Sequence, residues 1–192
     1  MQSMSKKTKT IGIVVSAALI VAGGLYYWRT AQPVVAWEPE LGHLKDRLSS
    51  LGFPALTAEG TAVHIHEHLD IFVHGKRVLV PANIGVNQAA GFISPVHTHD
   101  TTGVIHIESS EMRDYTLGQF FEVWGTRLTP SCLGNECARE PVVLKVFVGG
   151  QPYVGNPRNL VLTAHQEIVL VYGAPDEMPS DIPATFLFDP GL

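Results

Sequence analysis

The feature that most constrains the fold is a two-residue alternation over Val63–Val73. Val63, Ile65, Leu69, Ile71 and Val73 fall on one side, and His64, His66, His68, Asp70 and Phe72 on the other. Successive side chains of a β-strand point to opposite faces, so the stretch predicts a strand with an apolar core face and an unusual polar face. Glu67 alone interrupts the apolar side. His74-Gly75 predicts a two-residue hairpin turn and Lys76–Val80 its return strand, closed by Pro81.

A second antiparallel pair is predicted from Ser94–His99 and Val104–Glu108 around Asp100-Thr101-Thr102-Gly103. A turn over 100–103 or over 101–102 yields one register, pairing 99 with 104 and 97 with 106. His97 then faces His106 with Cβ atoms about 4.5–5.5 Å apart, with His99 diagonal to His106 and Glu108 on the same face. Three imidazoles are therefore expected together from local register alone, and the strand carrying His64, His66 and His68 adds to them if it packs nearby. Same-face residues of one strand are about 6.5–7 Å apart, so three in a row span about 13 Å. All three do not easily reach one ion, and one of them serves a supporting role or a second ion.

Leu41, Leu44, Leu48 and Leu51 recur at helical steps before Gly52 and Pro54, and predict a short amphipathic helix. Tyr115–Gly125 reads as another, with Thr116 as cap, Leu117, Phe120, Phe121 and Trp124 as apolar stripe and Gly125 as stop. Val142–Val148, Gly149-Gly150 and Gln151–Val154 predict a hairpin, and Glu167–Tyr172 a last strand. Four prolines predict an extended tail over 174–192, lying on the domain through Phe186 and Phe188. The fold class is α+β: a small mixed β-sheet domain with one packed helix. Its hairpin–helix–strand order resembles a β-grasp arrangement, a likeness that carries no chemistry.

The N-terminus reads differently. Lys6, Lys7 and Lys9 precede an uncharged run from Ile11 to Trp28 that ends in Tyr26-Tyr27-Trp28. As a helix it reaches about 27 Å, close to the roughly 30 Å hydrocarbon core. Lysines before the run and only Arg29 just after it place the N-terminus in the cytoplasm and the remainder across the membrane. A cleaved signal peptide has a similar start, but no small-x-small site directly follows the run. The expectation is a cytoplasmic basic tail over 1–10, a single-pass anchor over 11–28 and a linker over 29–40. An extracytoplasmic domain follows over 41–173, in the periplasm or extracellular space. Of thirteen Lys+Arg, four lie in the first 30 residues, so the remainder carries nine against eighteen Asp+Glu, together with all nine histidines. Such an acidic domain does not track nucleic-acid phosphates and attracts cations. In an oxidising compartment Cys132 and Cys137 read as a disulfide closing a loop.

Histidine is not favoured in strands for its own sake, and six alternating ones gather like charge below about pH 6.5. The candidate metal ligands are therefore His64, His66, His68, His97, His99 and His106. Asp70, Asp100 and Glu108 are the carboxylates placed to orient an imidazole by accepting its other N–H. Asp70 can also ligate directly, and Asp100 can instead start the turn. His43, His74 and His165 read as surface or turn residues. Imidazole without thiolate or abundant thioether favours one divalent transition metal, Zn(II) or Cu(II). His66-Glu67-His68 lacks the helical spacing of a zinc-protease motif, and no phosphate loop or serine triad stands out.

The segments Glu59–Val73, His97–Ser109, Tyr115–Gly125 and Glu167–Gly173 resemble a bacterial family of membrane-anchored hypothetical proteins with HxHxHLDIFV, HTHDxTGxIHIE and EIVLVYG motifs. The resemblance spans roughly residues 41–173. No activity is established for that family, so it implies grouping rather than function. Three readings follow: a metal sensor, buffer or delivery factor; a tethered metalloenzyme, hydrolytic or oxygen-using; or a metal-free interaction module of a membrane complex. The partners implied are the membrane and, for a delivery factor, a membrane complex or metalloenzyme.

Overall fold

The computed structural model describes residues 33–192, so the basic tail, the apolar run and the first part of the linker lie outside the described residues. Among the described residues no helix is long and apolar enough to cross a membrane. The domain is α+β, with one large sheet and two helices. The sheet contains β1 (Val34–Val35), β2 (Val63–Val73), β3 (Lys76–Leu79), β6 (Val96–His97), β7 (Val104–Ser109), β10 (Val143–Val148), β11 (Gln151–Pro152) and β12 (Glu167–Gly173). Short hairpins β4 (Val86–Asn87)–β5 (Phe92–Ile93) and β8 (Cys132–Leu133)–β9 (Glu136–Cys137) lie off it.

The long strand β2 organises the rest. Its C-terminal half pairs antiparallel with β3 and parallel with β12, and its N-terminal half pairs antiparallel with β7. Along one path the order is β1-β3-β2-β12-β10-β11, and β7 carries β6 on its far edge. The β2–β3 and β10–β11 hairpins turn through His74-Gly75 and Gly149-Gly150, all four with positive φ as their two-residue turns require. The stretch Val34–Val35, read as linker, adds a parallel strand beside β3. The strand expected over Ser94–His99 is shorter, because Thr98 pairs elsewhere. Its N–H donates to the Ile84 carbonyl (3.1 Å) and its own carbonyl accepts from Asn83 N–H (3.0 Å). The predicted pairing of His97 with His106 holds nonetheless.

Alternation sorts the faces. Leu69, Ile71, Ile105, Ile107, Ile168 and Leu170 are buried on the core face. Helix α1 (Leu44–Leu51) and helix α2 (Leu117–Trp124) pack against each other, so two helices take part where one was expected. α1 contributes Leu44 and Leu48 to the core, and α2 contributes Phe120, Phe121 and Trp124. Each helix has eight residues, too short to persist alone, and each is stabilised chiefly by this apolar contact. α2 starts in a full capping box: Thr116 accepts from Gln119 N–H, and the Gln119 side chain accepts from Thr116 N–H. Gly125, at φ 81°, ends it in the left-handed region. Cys132 and Cys137 stand opposite each other in β8–β9 at disulfide distance.

Candidate metal centre

The site occupies the other face of β2, β7 and β6. Register sets His66 opposite His106 and His106 opposite His97, one row across three strands. The next row sets His64 opposite Glu108. The rings are in contact. His66 and His106 meet edge to face at 4.6 Å between centroids, and His97 and His106 lie nearly parallel at 5.4 Å. His99 leaves the ladder yet lies 4.5 Å from the His106 ring and 4.7 Å from the His97 ring. Thr98, between the two histidines, is pinned on its side chain as well, donating to the Pro81 carbonyl and accepting from Ile84 N–H.

One contact fixes ligand geometry. His97 Nδ1 donates to the Ser94 carbonyl at 3.0 Å, which commits the proton to that nitrogen and leaves Nε2 with a lone pair. That Nε2 lies 3.1 Å from His99 Nε2. Two nitrogens at about 2.0–2.1 Å from one tetrahedral ion sit about 3.3–3.4 Å apart, so the pair is close to ligand spacing. His97, His99, His106 and Glu108 together present ligand atoms close enough to hold a metal, as do His64, His66 and Glu108.

Electrostatics favour the ligating form. Burial, then the neighbouring His99 and His106, lower the His97 pKa to about 3. Burial, then His99 and His66, lower that of His106 to about 4. Burial, then His64, also lowers His66. All three are therefore neutral near pH 7, as metal binding requires. Glu108 is pushed the other way, by burial and then by Glu59. Its Oε1 is 3.3 Å from His64 Nε2, 3.4 Å from His106 Nδ1 and 3.8 Å from His66 Nε2, and its Oε2 is 3.7 Å from His97 Nε2. Among the described residues, buried Glu108 Oε2 and His66 Nε2 have no hydrogen-bond partner.

Not every predicted site residue joins the cluster. His68 is buried in a separate group with Asp70 and Glu167. Its Nδ1 bonds Glu167 Oε2 at 2.8 Å and its Nε2 bonds the Thr102 carbonyl at 2.9 Å, which engages both nitrogens. Phe186 of the C-terminal tail stacks on the ring at 3.8 Å, as an extended tail lying on the domain predicts. Asp70, expected to orient an imidazole, accepts from Arg77 instead, at 2.8 Å from Nε and 2.6 Å from Nη2. An arginine on the adjacent strand offers a full charge where an imidazole offers one N–H, and it takes the carboxylate. Asp100 accepts from Thr102 N–H at 2.8 Å, the turn-starting role. His74 and His165 have positive φ and sit in turns, and His43 is exposed and bonded to Glu40.

Two carboxylates were missed. Glu59 Oε1 lies 3.6 Å from His99 Nε2. Gly60 brings it there by passing against the Ser109 backbone, where a Cβ would collide. Glu167 opens β12 beside His68 through the parallel β2–β12 register. The signal for Glu167 was a charged residue heading an apolar strand; Glu59 had no local signal. A cavity of about 270 Å³ is lined by His106 and Asp100 together with Phe186, Leu187 and Asp189 of the tail.

Comparison with known proteins returns no match: no family model, no curated protein and no solved structure matches this chain.

Proposed function

We propose that this is a membrane-anchored, extracytoplasmic protein that binds Cu(II) or Zn(II) through its histidine cluster, for sensing, buffering or delivery. The carrying observation is the His97–His99 pair, two ring nitrogens 3.1 Å apart with the His97 tautomer held by Ser94. His106 and Glu108 stand beside them to complete a nitrogen- and oxygen-only donor set. The uncharged N-terminal run supports the anchor and the export of the domain. The motif resemblance groups the chain with membrane-anchored bacterial proteins, and a membrane complex or a metalloenzyme is the partner such a carrier serves. The strand order, a parallel β2–β12 pair with β3 antiparallel beside β2 and β10 antiparallel beside β12, and a helix between the β2–β3 and β10–β11 hairpins in sequence, supports the β-grasp arrangement. Burial of His66, His97 and His106 weighs against the metal-free reading, which calls for histidines spread over a wet face.

The cavity at His106 supports a second reading, a hydrolytic or oxygen-using metalloenzyme, because a catalytic ion needs an open position facing a pocket. The deciding experiment for metal binding is elemental analysis of the full-length chain, loaded with Zn(II) or Cu(II) and dialysed. Wild type should retain metal that His97→Ala with His106→Ala releases. Equal metal content in a double variant with native circular dichroism refutes the assignment. Hydrolase and oxygen-consumption assays on the loaded protein separate the two readings.

A further inference from the structure

The cluster offers more donors than one ion takes. Five imidazoles, those of His64, His66, His97, His99 and His106, surround one carboxylate, whereas a protein-bound Zn(II) is held by about four ligands. The donors also fall into two sets. His97, His99 and His106 form one with Glu108, and His64 and His66 form the other with the same Glu108. Resting on the metal-binding reading above, we propose that the site is dinuclear, with Glu108 bridging an ion held by His97, His99 and His106 and a second held by His64 and His66.

Three observations carry this. First, the two oxygens of Glu108 face different histidines. Oε1 is 3.3 Å from His64 Nε2 and 3.8 Å from His66 Nε2 but also 3.4 Å from His106 Nδ1, so it reaches both sets, while Oε2 is 3.7 Å from His97 Nε2. A carboxylate within reach of both sets suits two ions about 3.5–4 Å apart, the spacing of two-metal sites. Second, two buried polar atoms in the region have no hydrogen-bond partner among the described residues, Glu108 Oε2 and His66 Nε2. One lies toward each proposed ion, and ligation would satisfy both. Third, two dications repel at that distance, and the carboxylates needed to offset the repulsion are present. Glu108 lies between the two sets, and Glu59 lies beside His99. The second ion would be the more accessible, because the His64 side chain is 55 % exposed.

The test is stoichiometry and spin coupling in the full-length chain. Zn(II)-loaded wild type should hold two ions after dialysis, and His64→Ala with His66→Ala should hold one. His64→Ala alone, at an exposed side chain, serves if loss of buried His66 disturbs folding, and should weaken the second ion at least tenfold. With Cu(II), the integrated paramagnetic resonance signal should rise through the first equivalent. It should then fall short of two spins per chain at the second, and Glu108→Gln should abolish that coupling. A single ion in wild type, unchanged in the His64 and His66 variants, overturns the dinuclear site and leaves the metal-binding reading intact. Two ions in those variants also overturn it, placing the second ion elsewhere. No bound ion at all ends both.

Discussion

Buried polar residues sit back to back on β2. His66 and His68 face the site side, and Glu67 between them faces the core, fully buried, with neither carboxyl oxygen partnered among the described residues. Burial holds its pKa well above the ordinary value of 4.5, which favours the neutral carboxyl. An unsatisfied buried polar group costs about 1–3 kcal/mol. Glu67→Leu, flanked by Ile65 and Leu69 and opposite Ile105, should therefore raise stability by about that amount, with metal content unchanged. A raised carboxyl pKa favours the fold below about pH 4.5, and that contribution is lost as pH rises through the folded value. The gain from Glu67→Leu should thus grow with pH in denaturant titrations. A variant less stable than wild type, or one that loses metal, would show that Glu67 has a partner or a role on the site side.

The elements divide into those specified locally and those made by contact. α2 carries its own start and stop, Thr116 and Gly125, and occurs within a residue or two of where its sequence predicts it. Thr116→Ala removes the cap acceptor and should cost about 1 kcal/mol, read as a lower unfolding midpoint with metal stoichiometry unchanged. β6 is the opposite case. Only Val96–His97 joins the ladder, since Thr98 is drawn off by Ile84 and Asn83. That departure lets His97 and His99 converge from one short segment, which a continuous strand would hold about 6.5–7 Å apart.

For the molecule as a whole, the centre ties three strands and a loop into one unit, and its protonation couples to folding. The unfolded imidazoles of His97 and His106 titrate near 6.5, and the folded ones near 3 and 4. Above about pH 6.5 neither state takes up these protons. Between there and about pH 4 only the unfolded chain does, so the metal-free fold loses stability as pH falls through that window. Glu67, Glu108 and Glu167, with raised values, act in the opposite sense, favouring the fold at low pH. A comparison with His106→Gln isolates the histidine contribution: the fall in Tm from pH 7 to pH 4.5 should be steeper in the metal-free wild type than in the variant. Parallel slopes would mean that His106 protonates as readily folded as unfolded.

Local periodicity was enough to determine the faces of β2, the two tight hairpin turns, the capped helix and the His97–His106 pairing, because side-chain alternation and turn length set register over a few residues. It also marked Glu67 as the residue out of pattern. What only the tertiary structure decided depends on segments distant in sequence. The parallel β2–β12 register engages His68 with Glu167, and Arg77 takes Asp70. Gly60 delivers Glu59 to His99, and β7 sets His66 against His106 with Glu108 between two histidine sets. Those outcomes turn on which strands become neighbours, and strand pairing across a hundred residues leaves no trace in the local pattern of either strand.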